Sequence, residues 1–191
     1  MSGVPSGLTE LFEAARAAAA SGRGLPPVHL WNPPRCGEID IRIKRDGDWF
    51  HEGARINREA LVRLFSTVLR KDPDGFHLVT PVEKMRIRVE DAPFIAVSVD
   101  RAGDVLRFVT NVGDTVEAGP DNTIRVEVDP DTLEPRPYLH VRRGLEALIS
   151  RPVFYELVDM AEERDTPQGP TLGVTSNGAW FAVGPPEVHR Q

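Results

Sequence analysis

The chain has 191 residues, of which 40% are hydrophobic, and its formal net charge is −6. This length suits one domain or two small ones, and the acidic balance argues against a general nucleic-acid or membrane-surface binder, which would need a basic face. The single cysteine, Cys36, excludes an intramolecular disulfide and a cysteine-based metal cage. No stretch approaches the roughly 18 apolar residues of a membrane span, so we expect a soluble cytoplasmic protein.

The chain is predicted to begin with a helix over residues 10–20. Thr9 can cap it, because its hydroxyl can accept a hydrogen bond from a backbone N–H of the first turn, and Gly22 suits the position after its end. Several prolines follow between residues 26 and 34 and hold the chain extended, since proline cannot continue a helix. We therefore assign residues 1–24 to an N-terminal helix and linker.

A hairpin is predicted next. Apolar and charged residues alternate from Ile39 to Lys44, as in a strand that buries one face. Asp46-Gly47 favours a tight turn, so Trp49-Phe50 should return as the second strand.

The clearest helix follows, capped by Asn57 and covering residues 58–70. Its apolar residues recur at helical spacing on one face: Leu61, Leu64, Phe65, Val68 and Leu69. A turn over residues 72–75 leads into a short strand, Phe76 to Val79. Met85 to Val89 then alternates with basic residues, which predicts a half-buried strand with a charged outer face.

The second half repeats the order of these elements. After hairpin strands over residues 94–99 and 105–109, the pattern strand, turn, strand, helix, strand recurs from Ile124, where Ile124-Arg125-Val126 resembles Ile41-Arg42-Ile43. On this repeat we predict a short second helix around residues 142–149, stopped by Pro152. The repeat assigns a strand to Val153–Ala161, although the apolar spacing there also suits a helix. A closing hairpin is expected around Asn177-Gly178, followed by a frayed tail over residues 185–191.

The usual catalytic motifs are absent from the sequence. It has no nucleophile elbow, phosphate-binding loop, dinucleotide fingerprint or paired-histidine zinc motif. His51 and Glu52 are adjacent but would point to opposite faces of a strand, so they would not converge on one ion. We expect no metal, no cofactor and no catalytic residue. An enzyme that uses Glu83, Asp91 or His51 as acid or base is the weakest hypothesis.

The polar face of the main helix and the turn after it form the candidate binding site. Arginine offers forked donors that match phosphate or carboxylate, and hydroxyl groups add further donors. Trp49 could stack on a base. The residues concerned are Arg63, Ser66, Thr67, Arg70, Thr80, Glu83 and Lys84. An ordinary solvated helix face is the alternative explanation.

Long phrases of the sequence resemble one known family. They are LWNPPRCGEIDIRI, INREALVRLFSTVLR, FHLVTPVEKMRIRVEDAPF, VTNVGD and RGLEALISRPVFYEL, and the likeness extends from about Leu25 to Val183. In these phrases the chain is similar to the proteobacterial family catalogued as domain of unknown function 1285. It departs from the family's pattern at Asn122-Thr123, where His-Pro is expected, and at Thr175, where tryptophan is frequent.

The resemblance implies an α+β fold of two small domains related by internal duplication. Each would be a mostly antiparallel sheet with one helix, over residues 25–100 and 101–191, and the second would be similar to a pleckstrin-homology (PH)-like barrel. The resemblance also implies a polar cleft where the domains meet, a nucleotide-like ligand and a role in signal transduction.

The family's motif positions add Arg58, Asp91 and Asn111 to the candidate residues. The resulting hypothesis is a cytoplasmic module that senses a small anionic ligand where its two domains meet. Its predicted site consists of Trp49, Arg58, Arg63, Ser66, Thr67, Thr80, Glu83, Lys84, Asp91 and Asn111. The alternative is a protein-interaction module that docks a partner through the PH-like domain.

Overall fold

A computed structural model describes residues 6–20 and 22–184, so the predicted tail over residues 185–191 lies outside the described residues. The chain divides into two compact units, Met1–Asp91 and Ala92–Gln191. The predicted boundary between residues 100 and 101 falls instead inside a strand, Phe94–Ala102. In the described part, no helix is both long and apolar enough to cross a bilayer.

Among its described residues, the first unit has two α-helices, a short 3-10 helix and a six-stranded sheet. The helices are α1 (Ser6–Ala20) and α2 (Glu59–Thr67), and the 3-10 helix is Val28–Leu30. The strands are β1 (Arg35–Ile43), β2 (Trp49–His51), β3 (Ala54–Arg55), β4 (Leu69–Asp72), β5 (Gly75–Val79) and β6 (Glu83–Val89). Because α1 packs on α2 and buries Leu11 and Ala15, the N-terminal helix belongs to this unit.

Up to residue 184, the second unit has a six-stranded sheet, one helix and a three-stranded sheet. The large sheet contains β7 (Phe94–Ala102), β8 (Val105–Thr110), β9 (Thr115–Glu117), β10 (Ile124–Val128), β11 (Pro135–Arg142) and β12 (Leu145–Ile149). Helix α3 (Arg151–Asp159) follows. The small sheet contains β13 (Glu162–Thr166), β14 (Gly169–Ser176) and β15 (Ala179–Gly184).

The two large sheets share one topology. Their strand orders are β3-β2-β1-β6-β5-β4 and β9-β8-β7-β12-β11-β10. In each sheet, two antiparallel three-stranded meanders are joined at the centre by a parallel pair, β1 with β6 and β7 with β12. The α+β class and the duplication of a mostly antiparallel sheet are therefore confirmed, while the PH-like character of the second unit stays a prediction.

The predicted alignment of the repeat was wrong. Ile124 begins the fourth strand of its sheet, whereas its assigned counterpart Ile41 lies in the first strand of the other. The second copy begins at Phe94. The helices also occupy different places, since α2 lies between the third and fourth strands of its sheet and α3 follows the sixth strand.

The predicted second helix over residues 142–149 is also wrong, because residues 145–149 form β12. Leu145, Ala147 and Ile149 are buried in alternation, as a strand requires. Arg143 and Gly144 before them both adopt positive φ, at 46° and 76°, and turn the chain between β11 and β12. Leu145, Leu148 and Ile149 also fit helical spacing, so periodicity alone did not separate the two structures.

The segment Val153–Ala161, predicted as a strand, lies mostly in α3. Pro152 stands in the first turn of this helix. Proline is favoured there because its missing N–H would have no partner inside the helix in any case. Pro152 therefore begins α3 and does not stop an earlier helix.

Helix α2 is shorter than predicted. Arg58 takes the N-cap position with no side-chain cap, so the predicted cap at Asn57 is wrong. The helix ends at Thr67 because Leu69–Asp72 pairs with Gly75–Val79 across a tight turn. The predicted hairpins β1–β2 and β14–β15 are confirmed.

Candidate functional site

The first sheet has one apolar face and one charged face. Ile41 and Ile43 of β1 are fully buried, and Trp49 of β2 stacks on Phe65 of α2 with ring centroids 6.4 Å apart. Because successive side chains of a strand point to opposite faces, the charged residues between these positions lie on the other side of the sheet. The candidate sites of this unit are on that charged face.

A groove opens where the ladder between β1 and β6 is interrupted. Glu38 pairs with Arg86 and Arg42 with Arg88, so residues 39–41 face the single residue 87. A depression at this irregularity is lined by Glu38, Ile39, Asp40, Arg86, Ile87 and Arg88. A second depression shares two of these residues and is lined by Asp40, Arg42, Lys44, Phe50, Gly53 and Arg88. We call the residues that line the two depressions the sheet groove.

The sheet groove carries more positive than negative charge. Its basic residues are Arg42, Lys44, Arg86 and Arg88, and its acidic residues are Glu38 and Asp40. Arg88 pairs with Asp40, and Nη1 of Arg42 lies 3.8 Å from Oε1 of Glu90. All four of these side chains are at least 39% exposed. Exposed pairs contribute at most about 1 kcal/mol because water screens them, so these two pairs add little to the stability of the sheet.

Two cations of the groove have no carboxylate partner among the described residues. Arg86 forms no ion pair there. Its guanidinium lies beside Gly75 of β5, since a Cβ added to that glycine would be 3.6 Å from Nε and Nη2 of Arg86. Lys44 places its Nζ 4.0 Å from the ring centroid of Phe50. These two groups are free to meet a negatively charged ligand.

A second group of charged residues, the polar cluster, lies on β4, β5, β6 and the turn between β4 and β5. It consists of Arg70, Asp72, Asp74, His77 and Lys84. Arg70 binds Asp72 through two hydrogen bonds, Nε to Oδ1 at 2.8 Å and Nη2 to Oδ2 at 2.9 Å. Lys84 places Nζ 2.6 Å from Oδ2 of the same carboxylate. Nη1 of Arg70 also donates to the backbone oxygens of Val28 and Trp31, which ties the linker to β4.

The polar cluster shifts two pKa values. Burial alone would raise the pKa of Asp72, but hydrogen bonds and charges from Arg70 and Lys84 outweigh it and lower this pKa to about 2. Burial and the charge of Lys84 lower the pKa of His77 below its ordinary value, although Asp74 and Asp72 oppose the shift. Asp72 is therefore ionised and His77 is neutral near pH 7.

The polar cluster resembles a metal site in composition but not in charge. Ligand atoms of Asp72, Asp74 and His77 lie within 4.8 Å of one another. Both oxygens of Asp72, however, already accept hydrogen bonds from Arg70, and Lys84 stands beside one of them. A divalent ion would have to displace the ammonium group and remain next to a guanidinium. These residues therefore neutralise one another and do not fit a metal.

Several predicted site residues serve the fold of the first unit. Trp49 is 1% exposed, so its ring is not available to stack on a ligand. The Ser66 hydroxyl donates to the Arg63 carbonyl and the Thr67 hydroxyl to the Leu64 carbonyl, both at 2.6 Å. These hydroxyls bond back to their own helix, as serine and threonine inside helices commonly do.

Thr80 and Glu83 form the turn that joins β5 and β6. The Thr80 hydroxyl oxygen accepts a hydrogen bond from the Glu83 N–H at 3.2 Å, and Thr80 is fully buried. The Glu83 side chain is 5% exposed and lies 3.9 Å from Nε of Arg35. Lys84 belongs to the polar cluster. The turn predicted to bind a ligand thus uses its polar groups internally.

The remaining predicted residues are not brought together. Arg58 at the N-cap of α2 and Arg63 within this helix are both exposed. Asp91 is half-buried at the end of the first unit, and Asn111 belongs to the second unit. Oδ1 of Asn111 accepts a hydrogen bond from the Ile95 N–H at 2.9 Å, which fixes the turn after β8.

Sequence reasoning missed the sheet groove. The signal was present, because both Ile39 to Lys44 and Met85 to Val89 were recognised as strands with charged outer faces. What the sequence did not show is that β1 and β6 are parallel neighbours, which brings Arg42 beside Arg88.

Comparison with known proteins connects the chain to a single family. Residues 26–92 match the model described as "Domain of unknown function (DUF1285), N-terminal domain", and residues 93–183 match "Protein of unknown function (DUF1285), C-terminal domain". A DUF1285 family protein from Silicibacter pomeroyi DSS-3 is 51% identical, with a TM-score of 0.84 over 95% of this chain and 98% of that one. A second one, from Shewanella baltica OS155, is 29% identical, with a TM-score of 0.51 over 62% and 90%. No curated protein matches the chain.

Proposed function

The chain belongs to the DUF1285 family, whose description assigns no activity, and we propose that its first unit binds a small anionic ligand in the sheet groove. The observation that carries this proposal is the excess of cations at an interrupted strand ladder. Arg86 and Lys44 have no carboxylate partner in the described part of the chain, and Arg42 and Arg88 have only exposed ones. Guanidinium groups at such a surface match phosphate or carboxylate.

The second unit supports this proposal by contrast. Its equivalent parallel pair, β7 with β12, aligns Phe94, Ile95 and Ala96 with residues 147–149. Those residues are Ala147, Leu148 and Ile149, so the paired positions of β7 and β12 carry no charge. The shared topology therefore does not require a charged central pair. Because charged side chains add little to the stability of a sheet surface, a binding role accounts better for those of β1 and β6.

The test is a comparison of two double variants that lose the same charge. Arg86→Ala with Arg88→Ala removes two groove cations, and Arg58→Ala with Arg63→Ala removes two exposed cations from α2, where the sequence placed the site. Inorganic phosphate and adenosine monophosphate serve as probes. A probe at about 100 times its Kd should raise the free energy of unfolding by about 2.7 kcal/mol.

We expect the wild type and the α2 variant to show this stabilisation and the groove variant to lose it. Isothermal titration should show at least a tenfold weaker Kd for the groove variant. If the groove variant binds as well as the wild type, the groove is not the site. If only the α2 variant loses binding, the ligand binds at the polar face of α2 and not in the sheet groove.

Interaction with a protein through the second unit has weaker support. Within residues 22–184, β13 pairs with β14 and has a free edge. Glu162, Glu163, Arg164 and Asp165 on this strand are all exposed. Charged residues on an edge strand disfavour the addition of another strand.

Sensing in a signalling pathway and a cytoplasmic location complete the proposal. They rest on the family resemblance and on the single cysteine, which suits a reducing compartment. The placement of the site where the two domains meet stays a prediction.

A further inference from the structure

The unpaired cations of the sheet groove lie at its two ends. Arg86 is in the first depression, Lys44 is in the second, and the Arg88–Asp40 pair is common to both. Arg42 of β1 is paired with Arg88 of β6, and the two strands run in parallel. Along the strands, Lys44 therefore lies two residues after the Arg42–Arg88 position and Arg86 two residues before it. At about 3.3 Å per residue, the backbone positions of Arg86 and Lys44 are roughly 13 Å apart along the strands.

The middle of the groove does not suit a negative charge. Asp40 stands there beside Arg88, and Glu90 and Glu38 flank the two ends. An anionic group placed centrally would approach the Asp40 carboxylate, and like charges repel. Ile39 lines the first depression and Phe50 lines the second, whereas Ile87 is only 4% exposed and belongs to the core. The walls between the free cations are therefore partly apolar.

On these grounds, and building on the proposed function, we propose that the sheet groove takes an elongated ligand with an anionic group at each end. One anionic group contacts Arg86, the other contacts Lys44, and an uncharged linker passes the Arg88–Asp40 pair. Once one end is bound, the other binds at high effective concentration, so affinity depends on the length of the linker. A ligand whose charges are adjacent, such as a diphosphate, reaches only one end.

Linear diphosphonates test this proposal, because chain length changes while the charged groups stay the same. Methylene-, butane- and octane-bridged diphosphonates would be titrated into the full-length protein by calorimetry, with inorganic phosphate as a single-charge reference. We expect the octane-bridged compound, whose length is close to the roughly 13 Å between the backbone positions of Arg86 and Lys44, to bind at least tenfold more tightly than the methylene-bridged compound.

Single variants identify the two ends. Arg86→Ala and Lys44→Ala should each reduce the affinity for the octane-bridged compound to that for the methylene-bridged one. Arg55→Ala serves as the matched control, since Arg55 is exposed on the same sheet but does not line the groove. Thermal unfolding of each variant shows whether it is folded.

The outcomes separate this inference from the proposed function. If all the diphosphonates and phosphate bind equally and only Arg86→Ala weakens them, the groove is a single-anion site and the two-ended ligand is ruled out. If neither phosphate nor any diphosphonate binds, the proposed function itself fails. A length preference that survives Lys44→Ala contradicts the assignment of the second end.

Discussion

Replacing Asp72 by asparagine tests whether the polar cluster stabilises the first unit. The carboxylate is 17% exposed and holds Arg70 and Lys84 together. The amide of the Asp72→Asn variant would keep the shape of the side chain but leave two part-buried cations without a counter-charge.

The magnitude follows from the pKa of Asp72, which falls from 3.8 to about 2 on folding. A carboxyl group with a depressed folded pKa contributes stability above its unfolded pKa, and the contribution is lost as the pH falls through the folded value. The wild type should therefore exceed Asp72→Asn in unfolding free energy by roughly 2 kcal/mol at pH 5.5. The difference should shrink to under about 1 kcal/mol at pH 2.5.

Urea unfolding of both proteins at several pH values between these limits measures this difference. Asp74→Asn is the matched control, since its side chain is 59% exposed, and we expect it to change the unfolding free energy little. A wild-type advantage that stays constant down to pH 2.5 would refute the reasoning, because the carboxylate would then not be stabilised by its two partners.

Three further predictions concern buried positions. Gly173→Ala should lower the free energy of unfolding, measured in urea, by about 1–3 kcal/mol or more, because the new Cβ would lie 2.2 Å from the Trp180 ring. Gly7→Ala is the control and should not destabilise the protein, because a Cβ there meets nothing within 4 Å. Trp49→Ala should cost about 3–5 kcal/mol in the same assay and Trp49→Phe less, because Trp49 is a core residue. The lowered pKa of His77 means that the unfolded chain takes up a proton before the folded one as the pH falls below 6.5, so stability should decrease there. His77→Gln should reduce that pH dependence, and an unchanged slope would contradict it.

Local chemistry was sufficient to predict the hairpins. Gly47 has a φ of 90°, and Asn177 and Gly178 have φ of 47° and 77°, so the turn residues occupy conformations that these residue types favour. Such turns involve only neighbours in the sequence. Burial of Phe65 and Leu69 was predictable for a similar reason, because apolar spacing marks the core side of a segment whether it is helix or strand.

Features that depend on distant pairing were not predictable. The apolar residues between positions 142 and 161 fit both the spacing of a helix and the alternation of a strand. Residues 145–149 form the strand β12 because they pair with β11 and β7. The same limit affected the site. Ser66 and Thr67 were predicted to bind a ligand, but their hydroxyls donate to carbonyls of their own helix, and these hydrogen bonds depend on rotamers that the sequence does not specify.

The parallel pair at the centre of each large sheet also constrains the order in which the sheet can assemble. The meanders pair segments that are close in the chain, whereas β1 with β6 joins residues 35 and 83, and β7 with β12 joins residues 94 and 147. Closing these long loops costs more chain entropy than closing a hairpin, so the meanders should form first and the central pairs last. In the first unit the last step closes the interrupted ladder. The groove proposed to bind the ligand is thus completed only when its sheet is complete, and a bound ligand would slow the unfolding of that sheet.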